Sequence, residues 1–304
     1  MSTKNESNEI KNLSAGDSGV LYSFAVISVL LVSIIFSTVM VMLSRGNESV
    51  FKSDAVIIIN FILGPIAILL AIGVLRLRRK APIIEALDVK SFDKYSLLAT
   101  AMIFLGLTFG LAEVNNLFVG FLQKIGLSVS APSLPKLTFG GVFASVLFVC
   151  IVPAVVEETL FRGLILSGLK STGTVFAVIL SGVLFSLFHM SPAQTIYQFI
   201  VGAVYALVIL YGKNILNTIG MHLLNNLYIV LNYYFWGFTL SGILKPIITI
   251  IGILLLVGGI VLLVLKGEKP QKRQGEKESR VNFILGAILG VIASVAMWIS
   301  ALIG

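Results

Sequence analysis

The sequence predicts an all-α fold, a polytopic bundle of eight or nine transmembrane helices, and three observations carry this reading. Hydrophobic residues make up 57% of the 304 and charged residues only 12%, against roughly 45–50% and about 25% in soluble domains. A soluble core could not hide that much apolar surface. Uninterrupted apolar stretches long enough to cross a bilayer recur along the chain. Finally, most of the cations behind the formal charge of +8 stand in loops beside those stretches, which is the positive-inside pattern. Aromatic residues lie within the apolar spans and do not interleave with basic clusters, so a nucleic-acid partner is not expected.

The elements follow in order. Residues 1–19 read as a polar, disordered tail. Apolar spans are expected at 20–44, 55–75, 96–121, 138–156, 173–190, 193–211, 214–234, 241–265 and 282–303. Short loops between 138 and 235 leave the count between eight and nine. The first span follows a polar tail and lacks a small-residue cleavage site, so it reads as a helix and not as a cleavable signal peptide. The chain thus divides into the tail, N-terminal helices and loops over 20–137, a core over 138–235, and C-terminal helices over 236–304. The basic stretch 266–280 reads as a solvated topology anchor, with a lipid-headgroup or partner contact as the alternative. The lone Cys150 allows neither an internal disulfide nor a C-x-x-C metal site, and reads as a small buried hydrophobe.

Orientation follows from the cations. With a cytoplasmic N-terminus and nine alternating helices, only Arg45, Lys52, Lys124, Lys136 and Lys245 of the 22 Lys and Arg fall outside. The other 17, Arg162 among them, fall inside, a bias that favours this orientation. The Ile- and Lys-leaning composition and short loops suggest a bacterial cell membrane.

Ionisable groups within apolar spans are costly by several kcal/mol and mark function by default. The segment V-V-E-E-T-L-F-R-G, at the inner end of the fourth span, holds Glu157, Glu158 and Arg162. Positions four apart share a helix face, so Glu158 and Arg162 pair, with the acid N-terminal to the base. Glu157 points about 100° away and is left unpaired, as a general base or acid requires. Phe185 and His189 share a face of the fifth span, and His222 and Asn226 a face of the seventh, with Asn225 pointing elsewhere. A carboxylate and an imidazole can orient and deprotonate a water; a second imidazole and an amide can stabilise an oxyanion. Glu157, His189 and His222 could alternatively hold zinc with an open position, although no H-E-x-x-H motif is present. Glu113, with Asn115 and Asn116 in A-E-V-N-N, could line a water-filled cavity, touch substrate, or make a polar interhelical contact near the outer interface.

The order E-E-x-x-x-R, F-x-x-x-H, H-x-x-x-N, each on its own apolar helix, resembles the CAAX protease and bacteriocin-processing family of membrane endopeptidases. The resemblance covers about residues 138–235. It implies that Glu157 and His189 activate the water, that His222 and Asn226 form the oxyanion site, that Glu158 with Arg162 holds the geometry, and that Phe185 contacts substrate. Members are often labelled metalloproteases, while a metal-free, glutamate-dependent mechanism has also been argued, so zinc stays open. In bacteria the family is associated with peptide maturation, bacteriocin self-immunity and cell-envelope regulation. The expected function is cleavage of a membrane-associated peptide or protein, at a site opening to the cytosolic half of the bilayer. A non-catalytic scaffold or immunity protein is the alternative. A transporter is the third reading, against which no paired Gly/Pro-broken helices recur in two halves.

Overall fold

The computed structural model describes residues 13–79, 93–127, 133–237, 241–270 and 275–303, together with the single positions 87, 89 and 129. Most of the expected tail (1–12), the cations Lys4, Lys11, Lys80, Lys90, Lys272 and Arg273, and the middle of the basic stretch (271–274) lie outside the described residues. Nine helices are present among those described: α1 (Ala15–Ser44), α2 (Asp54–Arg79), α3 (Lys94–Lys124), α4 (Phe139–Thr172), α5 (Thr174–Phe188), α6 (Thr195–Gly212), α7 (Ile215–Leu231), α8 (Leu244–Lys266) and α9 (Glu276–Ile303). Seven are long and apolar enough to cross a membrane, α6 counted with its leading turn from Pro192. The protein is an integral membrane protein.

Several boundaries move, each for a local reason. Helix α1 starts at Ala15, inside the segment expected to be disordered, because the Ser14 hydroxyl caps it by accepting from the Asp17 N–H at 3.0 Å. The basic stretch is only partly a loop, since Lys266 ends α8 and Glu276 to Arg280 open α9. The largest change is in α4, which does not stop near 156 but runs on to Thr172. It is interrupted by two π-helical turns, Val146–Ile151 and Thr159–Ile165. Such turns are rare and occur mostly at functional sites. Pro153 follows the first of them and has no N–H to give to the carbonyl of Val149, four residues back.

Consecutive helices alternate in direction, and glycine seams pack the outer ones. Helices α3 and α8 run antiparallel, with Gly106 against Leu256 and Gly110 against Gly252; a Cβ at Gly110 would lie 2.8 Å from backbone. Helices α1 and α9 run parallel, with Gly19 beside Gly286 and Gly290 beside Ser23. The Ser23 hydroxyl donates to the Gly286 carbonyl at 2.7 Å and accepts from the Gly290 N–H at 2.9 Å. Small residues admit this close approach, which supplies the dispersion contact that apolar lipid does not provide by expulsion.

Alternation sends Arg76, Arg78, Lys94, Lys170, Lys213, Lys266 and Arg280 to one end of the bundle, and Arg45, Lys52, Lys124, Lys136 and Lys245 to the other. Arg162 belongs to neither end. It is 1% exposed within the bundle, so it does not count among loop cations.

Candidate active site

Helix α5 has 15 residues, about 22 Å at 1.5 Å per residue, and is shorter than a hydrocarbon core of about 30 Å. It begins after Gly173 (φ 94) and gives way to His189 and Met190 (φ 47). Irregular backbone at membrane depth is tolerated where it lines a cavity, and His189 does line one. That cavity, about 690 Å³, lies between α2, α3, α4, α6, α7 and the end of α5, and its wall includes Glu157, His189, His222, Asn225, Asn226 and Asn115.

Three side chains tie the helices together beneath it. Arg162 Nη1 donates to Glu158 Oε1 at 3.1 Å, with both side chains fully buried. The same oxygen lies 3.0 Å from His222 Nδ1, so Glu158 joins α4 to α7. The Arg162 guanidinium sits 4.2 Å from the Phe185 ring centroid and 5.1 Å from that of Tyr205, a cation–π arrangement suited to a planar group. The pair was legible from the i, i+4 spacing; the third member, His222, was not.

The second cluster faces the cavity. His189 Nδ1 lies 2.7 Å from the Phe185 carbonyl. A carbonyl only accepts, so Nδ1 carries the proton and Nε2 is left as an acceptor. Nε2 stands 4.0 Å from Glu157 Oε2, and that oxygen is buried with no hydrogen-bond partner. The separation is too long for a direct hydrogen bond and suits one bridging water. The expectation of an unpaired Glu157 therefore holds, as does its pointing away from the Glu158–Arg162 pair. Its place in the helix does not: Glu157 stands near the middle of α4, about 22 Å from Thr172 along the axis.

On α7 the Asn226 Nδ2 donates to the Val149 carbonyl at 2.8 Å, the group that Pro153 leaves without its usual helical donor. A primary amide has a second N–H, which remains for the cavity. Asn225, expected to point elsewhere, lines the same cavity and accepts from Tyr197 Oη at 2.5 Å. The cavity is wide enough to take in neighbouring positions 100° apart on one helix. Tyr197 went unnoticed in the sequence, where a tyrosine in an apolar span has no distinctive spacing.

Three open readings meet the structure as follows. Phe185, the expected substrate contact, is 1% exposed and absent from the cavity wall, and packs beneath His189 and His222 at centroid distances of 4.8 and 6.2 Å. Glu113 makes the polar interhelical contact that was one of its expected readings, pairing with Lys245 at 2.6 Å, while Asn115 and Asn116 line the cavity. Among the described residues no three His, Cys, Asp or Glu side chains cluster as a metal would need. The zinc set Glu157, His189 and His222 is not among such groups, although His222, with Nδ1 against Glu158, keeps Nε2 for the cavity.

Residues 138–228 match the family model described as type II CAAX prenyl endopeptidase, Rce1-like. The matched stretch is the one on which the motif resemblance rested, and it contains every catalytic candidate named above. No curated protein and no solved structure matches the chain.

Proposed function

We propose that the protein is an intramembrane endopeptidase in which Glu157 and His189 activate a water against a peptide bond. The observation that carries this reading is the buried, unpartnered Glu157 Oε2 facing His189 Nε2 across 4.0 Å. Both groups are acceptors, so a water between them donates one hydrogen to each and turns a lone pair outward. As its oxygen bonds to the peptide carbonyl carbon, its proton passes to the Glu157 carboxylate. The developing oxyanion is met by the second N–H of Asn226 and by His222 Nε2–H. His222 in its doubly protonated form gives its other N–H to Glu158. Collapse of the tetrahedral intermediate breaks the C–N bond, and the proton held by Glu157 passes to the leaving amine. Glu158 and Arg162 are positioning residues that act through His222 and the packing of α4.

The test compares wild type with Glu157→Gln, purified in detergent, on a quenched peptide library with and without a zinc chelator. We expect the variant to lose cleavage by about 10²–10⁴-fold, the usual worth of a general base, with an unchanged unfolding midpoint. Wild-type cleavage should persist in chelator. Equal cleavage by both proteins would overturn the assignment in favour of a scaffold. Loss in chelator with recovery on added zinc would transfer water activation to a metal.

A further inference from the structure

The cavity lies in the half of the bundle nearer the end that is poor in cations. Asn116 lies about 12 Å along α3 from Lys124 and about 33 Å from Lys94, and Asn60 about 9 Å along α2 from Asp54. His189 and Gln194, also on the wall, flank the α5–α6 turn, opposite the end where Gly173 and Lys213 stand. Towards the basic end the site is closed. Glu158, Arg162, Phe161, Phe185 and Tyr205 form its floor, none more than 2% exposed. The expectation of a site opening to the cytosolic half arose because the fourth span was read as ending beside Arg162. With α4 continuing to Thr172, the same basic ends that set the orientation lie beyond that floor.

Positive-inside bias places the basic end in the cytoplasm. We infer that the site opens to the extracytoplasmic face and takes an uncharged, extended peptide segment presented from that side, such as an exported peptide or the outer juxtamembrane stretch of a membrane protein. The wall supports that chemistry. Among the described residues Glu157 is its only carboxylate and no Lys or Arg lines it, while amides recur at Asn60, Asn115, Asn116, Gln194 and Gln198. Asn115 donates Nδ2 to the Ala193 carbonyl at 3.0 Å and leaves Oδ1 buried without a partner, an acceptor for a substrate backbone N–H. The substrate class rests on the endopeptidase reading; the direction of opening does not.

Two measurements keep these apart. Cys150 is the chain's only cysteine and is fully buried, so single cysteines can be introduced on a Cys150→Ser background. In intact bacterial cells a membrane-impermeant maleimide should label Asn116→Cys to the same extent before and after permeabilisation, and Lys266→Cys only afterwards. Any other pattern overturns the inference. In sealed vesicles, an uncharged quenched peptide that cannot cross the bilayer should be cleaved in right-side-out and not in inside-out preparations. Cleavage confined to inside-out vesicles sinks the inference. Cleavage in neither, with labelling as expected, sinks the endopeptidase reading together with the substrate class and leaves the direction of opening standing.

Discussion

Arg162 is the residue on which the site's geometry most depends. Its charge is buried against one carboxylate oxygen and three aromatic rings. Removing one partner of a buried ion pair strands the other, at a cost of about 3–5 kcal/mol. We expect Arg162→Met to lower the unfolding free energy in detergent by about that amount. Arg162→Lys should not rescue it, because an ammonium has neither the flat face nor the fork geometry. The double variant Glu158→Gln/Arg162→Met should recover part of the loss, since neither member of the ion pair then remains and His222 can donate Nδ1–H to the amide oxygen as a neutral imidazole. A single variant as stable as wild type would show that Glu158 finds another partner. Glu157 behaves differently: its unpaired oxygen faces the cavity, so its removal should cost activity and not stability.

At the scale of elements, the proline in α4 and the asparagine on α7 form one device. Asn226→Ala takes away the donor that satisfies the Val149 carbonyl, and an unsatisfied buried acceptor costs about 1–3 kcal/mol. Pro153→Ala returns an N–H to the helix and should offset that loss. The double variant Pro153→Ala/Asn226→Ala should therefore unfold near the wild-type midpoint while remaining impaired in cleavage, because the proposed oxyanion donor is gone. Stability left unrestored by Pro153→Ala would show that the Asn226 contact is not the carbonyl's replacement. The α3–α8 seam permits a second test. A side chain at Gly110 would meet the Gly252 backbone, which cannot yield as a flexible side chain would. Gly110→Leu should lower thermal stability in detergent, whereas Leu at Gly120, where nothing lies within 4 Å, should leave it unchanged. Equal midpoints would mean the seam is not tightly closed.

At the scale of the whole molecule, the helical fold class and the polar positions on the apolar helices were legible in the sequence, while of the eight or nine expected spans seven are long and apolar enough to cross a membrane. Apolar length and cation placement are one-dimensional consequences of a bilayer 30 Å thick. The i, i+4 pairing of Glu158 with Arg162 and the solitude of Glu157 also follow from the turn of a single helix. What one helix cannot reveal is what faces it. That His222 completes the Glu158 pair, that Phe185 is floor and not wall, that Asn225 joins the cavity, and that Glu113 pairs with Lys245 all depend on how helices distant in sequence meet. The continuation of α4 escaped the sequence because two π-helical turns carry it past its polar residues, where a hydropathy reading sees an end. The sequence by itself determined which residues are present in the membrane and which end of the bundle is basic. Only the tertiary structure decided which half of the bundle holds the cavity, because a cavity belongs to the space between helices and to no one of them.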